Sequence, residues 1–321
     1  MTAPAAGTAL GTELRPATAA RPEETAARAI PSPLVALDAL LAAPADRPHR
    51  LVEVGAGPVS DPGSDQDPEP RIPDPLVPGA IRLGISDFAG AEGPTTGRQP
   101  LPDHTRLTDT LTAAGIAPGT ALLLYARDAS ALSIAARGWV TLRWAGATDV
   151  RVLRIGPGLP PAPRIAELAA WIADSVTQHT PDAPEAFVPD PTVVATTEQV
   201  AARHAETLLV DARGPEGYGG AGSHIAGSRN LPTGLLVGED GPRAPEQIRA
   251  AYRSVLGVAP EDQEIILSCG SGISASLQAL ALASAGVAAP VYIGSWSEWS
   301  KRDGTGSAEH ARSDNVARYH S

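Results

Sequence analysis

The residue in this sequence best suited to chemistry is Cys269, which is followed by Gly270, Ser271, Gly272, Ile273 and Ser274. It is the chain's one cysteine, so an intramolecular disulfide or a cysteine metal cluster is ruled out. The stretch Glu264 to Ser268 reads as a buried strand, and Ser274 to Ala285 reads as a helix. Reactive groups in open α/β sheets lie at the carboxyl ends of strands. Two glycines let the loop curl around the sulfur, so that loop amides and the helix start point at one spot. Such a cradle stabilises a thiolate and holds an anion or a persulfide. A lone cysteine at a strand end is otherwise a small buried hydrophobe. The flanking Gly-Ser-Gly favours the reactive reading.

Three chemistries compete for such a cysteine. A phosphatase loop needs an Arg six residues on to grip phosphate bidentately. Here that residue is Ala275, and no Arg or Lys lies between Cys269 and Ala289. A cysteine hydrolase needs a His base. His204, His224, His310 and His320 are present, but none has a distinctive context for that role. A sulfur-transfer cysteine needs only a stabilised thiolate and a cradle of donors, and the loop supplies both.

The elements that must position Cys269 alternate strand and helix, the grammar of a parallel α/β sheet. In the first half the pattern predicts a helix over Ser32 to Ala43, a strand over Arg50 to Val54 and a helix over Leu107 to Ala114. A strand over Ala121 to Tyr125, a helix over Ser133 to Ala145 and a strand over Val150 to Ile155 follow. The stretch Gly55 to Asp74 reads as a surface loop. Residues 1–30 read as a flexible N-terminal tail, 31–156 as a first domain, 157–191 as a linker with one helix (Ile165 to Val176), and 192–321 as the catalytic domain. In the second half, helices are predicted over Thr197 to Arg203 and Pro245 to Leu256, and strands over Thr207 to Val210 and Pro290 to Ile293. The halves read as repeats of each other. Leu122 to Tyr125 then corresponds to Ile265 to Ser268, and Ala126 stands where the second half has Cys269.

Composition narrows the partners. The net charge is −11, which argues against nucleic acid or an anionic membrane surface. No stretch reaches the roughly 18 apolar residues of a membrane span. The first thirty residues lack the apolar run of a secretory signal, so a cytoplasmic location is expected. No metal and no organic cofactor is expected.

The loop Cys269-Gly270-Ser271-Gly272-Ile273-Ser274-Ala275 resembles the active-site loop of tandem-domain rhodaneses, most of all the 3-mercaptopyruvate sulfurtransferase type. Gly294-Ser295-Trp296-Ser297-Glu298-Trp299 is similar to that family's Gly-Ser-Trp-x-Glu-Trp. Asp211-Ala212-Arg213, with His224-Ile225-Ala226-Gly227-Ser228 and Asn230-Leu231-Pro232, resembles a third family pattern. The first half matches mainly through Pro78-Gly79-Ala80 and its strand–helix–strand. The resemblance implies two rhodanese-like domains, each a parallel sheet flanked by helices. The first would be inactive, with the active site between the two. It also implies that Cys269 takes sulfur from a small anionic donor, of the 3-mercaptopyruvate or thiosulfate type, and becomes a persulfide. The acceptor would be a thiol, cyanide or a sulfur-acceptor protein.

The sequence departs from the family where the donor is held. Gly217 stands where the family carries an anion-binding Arg, and the loop from Gly220 to His224 is shortened. Arg98-Gln99 stands where 3-mercaptopyruvate enzymes carry Asp-His. The candidate substrate-binding residues are Arg213, Arg229, Arg98 and Arg127. For Arg213 the competing reading is a structural salt bridge, and for Arg229 a solvated surface position. His224 reads as a structural histidine, and Trp296 and Trp299 as core packing. These departures leave two alternatives open, a rhodanese-fold binding or regulatory module and a specialised biosynthetic sulfur donor.

Overall fold

The computed structural model describes residues 32–55, 74–127, 131–154, 160–178, 186–219 and 224–302. The expected N-terminal tail, most of the loop Gly55 to Asp74 and the shortened segment at 220–223 lie outside the described residues. The first half runs β1 (Leu34–Ala36), α1 (Leu37–Leu41), β2 (His49–Gly55), β3 (Ile81–Gly84), α2 (Ile85–Phe88) and α3 (His104–Ala113). It continues with β4 (Ala121–Ala126), α4 (Leu132–Ala145), β5 (Val150–Arg154) and α5 (Ala162–Gln178). The second half runs β6 (Val194–Ala195), α6 (Thr197–Ala201), β7 (Leu208–Asp211), α7 (Pro215–Gly219), β8 (Arg229–Asn230), β9 (Val237–Gly238) and β10 (Gly241–Pro242). Then come α8 (Pro245–Ala251), β11 (Ile265–Ser268), α9 (Ile273–Ser284), β12 (Val291–Tyr292) and α10 (Ser295–Trp299).

Each half builds one five-stranded parallel sheet, in the orders β1-β5-β4-β2-β3 and β6-β12-β11-β7-β8. The two orders coincide when β1 to β5 are matched with β6, β7, β8, β11 and β12. Central strands β4 and β11 are almost wholly buried and mostly apolar, as strands of a parallel sheet covered by helices are. Matched in this way, Ala126 ends β4 and Cys269 follows β11.

Three expectations are corrected. The predicted helix over Ser32 to Ala43 is a strand at Leu34–Ala36 and a short helix at Leu37–Leu41. Leu34 and Val35 pair in register with Val152 and Leu153, and this edge pairing wins over the helical spacing of the leucines. The predicted helix over Pro245 to Leu256 is α-helical only to Ala251; a π-turn at Tyr252–Leu256 completes it, and Gly257 ends it at φ 69°. The helix placed in the linker extends over Ala162–Gln178, and its Leu168, Ile165 and Ile172 pack on Leu51, Leu123 and Leu153. It is therefore a layer of the first half.

The layer between the sheets is formed by α4 and α9, which lie against each other. One hydrophobic core runs from Val52 and Leu124 through Val140 and Leu280 to Val210 and Leu267. The two halves thus meet through a buried apolar face, which holds them in one arrangement.

Candidate active site

Cys269 lies one residue beyond β11 and is 2% exposed. The chain then turns through Gly272, at φ 82°, and the Gly272 amide donates to the Cys269 Sγ at 3.1 Å. Glycine is required there by conformation and by space. A Cβ would stand 2.6 Å from the Ile293 carbonyl oxygen and 2.8 Å from Arg137 Nη1. Gly272 also caps α9, so the helix begins with no side-chain cap and presents its amide end to the loop.

The signature at residues 294–299 acts as a backbone clamp. The Cys269 amide donates to Ser295 Oγ at 3.0 Å, and that hydroxyl donates to the Tyr292 carbonyl at 2.8 Å. Ser295 Oγ stands 3.9 Å from the sulfur. The amides of Trp296 and Ser297 donate to the carbonyls of Cys269 and Gly270 at 3.0 and 2.9 Å. Trp299 is buried beside Tyr292, with Trp296 against the same cluster, which is the packing role read from the sequence.

The first half reaches into this loop. The Arg98 amide donates to Ser297 Oγ at 3.0 Å, and Gly97 abuts the Gly294 carbonyl closely enough that a Cβ would sit at 2.7 Å. Gln99 Oε1 accepts from the Ser271 hydroxyl at 3.3 Å. The Arg98 guanidinium is exposed and lies 3.1 Å from where a Gly270 Cβ would be.

The other sequence-nominated arginines are committed elsewhere. Arg213 forks onto Asp211, with Nε and Nη2 at 3.0 and 2.6 Å, although its Cδ comes within 3.8 Å of a Gly270 Cβ position. Arg229 donates to the Leu256 carbonyl at 2.6 Å. Arg127 donates to the buried Glu53 carboxylate at 3.0 Å and to the Asp74 carbonyl at 2.6 Å. Of the four, the structure brings Arg98 and Arg213 to the cysteine loop. His224 stacks on Tyr218 with ring centroids 4.1 Å apart, a packing contact.

Sequence reasoning missed Arg137. It sits on α4 with no exposed surface. Its Nε donates to Thr141 Oγ1 at 3.1 Å, and its Nη2 reaches the carbonyls of Phe88, Gln99 and Pro100 at 3.1, 3.0 and 3.1 Å. The available signal was a guanidinium in the middle of the apolar run Ala135-Ala136-Arg137-Gly138-Trp139.

Comparison with known proteins identifies the family. Residues 196–302 match the rhodanese-like domain. The chain is 32% identical over 220 residues to a Pseudomonas aeruginosa protein named "probable 3-mercaptopyruvate sulfurtransferase", covering 64% of this chain and 73% of that one. The chain belongs to the rhodanese family of sulfurtransferases. Rat thiosulfate sulfurtransferase is 29% identical over 246 residues, 70% of this chain and 77% of that protein. The crystal structure of SseA from Escherichia coli superposes with a TM-score of 0.57 at 25% identity, over 83% of this chain and 99% of SseA. Both halves of the chain therefore follow the rhodanese fold.

A cavity of about 690 Å³ opens near the loop, bordered by Thr95, Leu101, Thr197, Glu298 and Lys301. Cys269 is not in its wall. The thiol loop instead gathers Cys269, the Gly272 amide and the side chains of Arg98 and Arg213. Among the described residues, no cluster of His, Cys, Asp or Glu could hold a metal ion, and no helix is long and apolar enough to cross a membrane.

Proposed function

We propose that this rhodanese-family sulfurtransferase takes sulfur from a small anionic donor of the 3-mercaptopyruvate or thiosulfate type and carries it as a Cys269 persulfide. The observation that carries this reading is the Gly272 amide held 3.1 Å from the sulfur, in a loop whose carbonyls are clamped from behind. The Cys269 thiolate attacks the donor sulfur and forms an S–S bond. With 3-mercaptopyruvate the C–S bond breaks, and the electron pair leaves on the pyruvate enolate, which takes a proton. With thiosulfate the S–S bond breaks and sulfite leaves. The acceptor thiolate then attacks the outer sulfur and releases the Cys269 thiolate, a two-stage covalent scheme.

Arg98 is the residue we assign to the donor's anionic group. It is exposed above Gly270, and no carboxylate among the described residues pairs with it. In this reading it occupies the role that Gly217 cannot fill. Arg213 supports it through its Asp211-held side chain near the same glycine. Ile273 and Ser274 contribute backbone amides at the start of α9, and Ser271 ties the loop to Gln99.

The test is intact-protein mass after incubation with 3-mercaptopyruvate or with thiosulfate. The expected result is a gain of one sulfur on the wild type and none on Cys269→Ser. Turnover by Cys269→Ser above the buffer rate overturns the mechanism. Failure of both donors to load the wild type favours a binding module.

A further inference from the structure

Arg137 is a charged group in a place that needs an anion. A guanidinium without exposed surface keeps its charge only if surrounding groups replace the lost water. Four hydrogen bonds do part of this, but every acceptor is a neutral carbonyl or hydroxyl. No salt bridge among the described residues includes Arg137. Its Nη1 is buried and has no hydrogen-bond partner. That nitrogen lies 2.8 Å from the position of a Gly272 Cβ, and the Gly272 amide is itself 3.1 Å from the Cys269 sulfur.

We propose that Arg137, supplied by the first half of the chain, is a positioning residue that holds Cys269 as a thiolate and then as a persulfide anion, its free N–H and its charge set against the inner side of the Gly272 turn. The proposal rests on Cys269 being the sulfur-carrying group. Burial pushes the guanidinium down to about 10, and the negative charge of a Cys269 thiolate opposes that fall. Arg137 is therefore cationic at neutral pH. The same side chain gathers the carbonyls of Gln99 and Pro100, so the segment carrying Gln99 to Ser271 and Arg98 to Gly270 is fixed to the charge that serves the sulfur. This gives the first half a part in the chemistry although Ala126 stands at its own strand end.

The other charged groups about the loop are Arg98, the Asp211–Arg213 pair and Glu298, which abuts Gly294. The test compares iodoacetamide alkylation of Cys269 in the wild type, Arg137→Met and Arg137→Lys at about pH 6 and about pH 9, below and above the ordinary thiol range. In Arg137→Met the ratio of the low-pH rate to the high-pH rate is expected to fall about tenfold or more, the effect of one logarithmic unit of thiolate stabilisation. Arg137→Lys keeps the charge and is expected to hold the ratio within about threefold. A purely structural arginine would change both rates together and leave the ratio alone, which overturns the proposal. If Arg137→Met does not fold, the wild-type ratio decides: a value no higher than that of free cysteine overturns the proposal, and a higher value retained by Arg137→Lys supports it. Donor loading, read by mass, separates the two claims. Loading with an unchanged ratio in Arg137→Met removes Arg137's role and leaves sulfur transfer standing. A lowered ratio without loading of the wild type supports anion holding and removes sulfur transfer.

Discussion

Ser295 has a backbone that L-residues seldom adopt. At φ 50° it is the one non-glycine residue with positive φ among the described residues, and such a conformation costs about 1–3 kcal/mol. The return is a hydroxyl that accepts from the Cys269 amide and donates to Tyr292. Ser295→Ala leaves a buried amide without its acceptor, an expected loss of about 1–3 kcal/mol. Ser295→Gly loses the same hydroxyl but fits the left-handed backbone, so it is expected to be more stable than the alanine variant by about 1 kcal/mol. Both should load sulfur more slowly. Denaturant titration and mass-detected loading check this, and an alanine variant as stable as the wild type would show that the hydroxyl is not holding the loop. The geometry of the cysteine loop was legible in the sequence because its parts are consecutive: one thiol, two glycines, one helix start. Arg137 was not, because its partners come from positions 88, 99, 100 and 141, and the glycine it abuts is at 272. Spacing along the chain carries no trace of such a cluster.

At the scale of elements, long apolar runs such as β4, α4 and α9 declared themselves by pattern. The two-residue strands β6 and β8 offer no period to read, and their pairing comes from the sheet they complete. Arg127 shows the same limit. It looks free at the end of a strand, yet the fully buried Glu53 on the neighbouring β2 takes it, together with Arg82 at 3.1 Å and the Tyr125 hydroxyl at 2.7 Å. The packing of α5 on β2 has a consequence for pH. His49 opens β2 with its amide donating to Ser175 Oγ at 3.1 Å and its ring edge-on to Trp171, centroids 4.7 Å apart. Burial holds its ring below the usual histidine range. The folded protein thus keeps a neutral ring while the unfolded chain takes up a proton below about pH 6.5. The unfolded state then binds more protons, so stability falls as pH drops through that value. Between about pH 7.5 and 5.5 the melting temperature is expected to fall more in the wild type than in His49→Gln. Equal falls in the two proteins would show that His49 does not contribute.

At the scale of the whole molecule, the two halves form one body around one thiol. Their shared core fixes α4 against α9, and Lys301 ties the second half to Glu92 and to the carbonyls of Gly93 and Thr96 at 2.6, 3.1 and 2.9 Å. The first half is thereby held as a wall over the cysteine loop, with Cys269 only 2% exposed. A persulfide formed there has no internal way out. The chain has a single cysteine, so no second thiolate can attack the sulfur and close a disulfide. Ala126, at the matching strand end of the first half, cannot relay it. In the proposed scheme, discharge therefore requires a nucleophile from outside. The loaded protein is expected to persist when isolated from donor, and to lose its extra sulfur promptly when a thiol, a dithiol protein or cyanide is added. Mass followed over time measures both phases. Rapid loss without an acceptor would mean that water or a side chain within the cleft releases the sulfur, and the closed, acceptor-gated pocket would then be the wrong description of how the two halves meet.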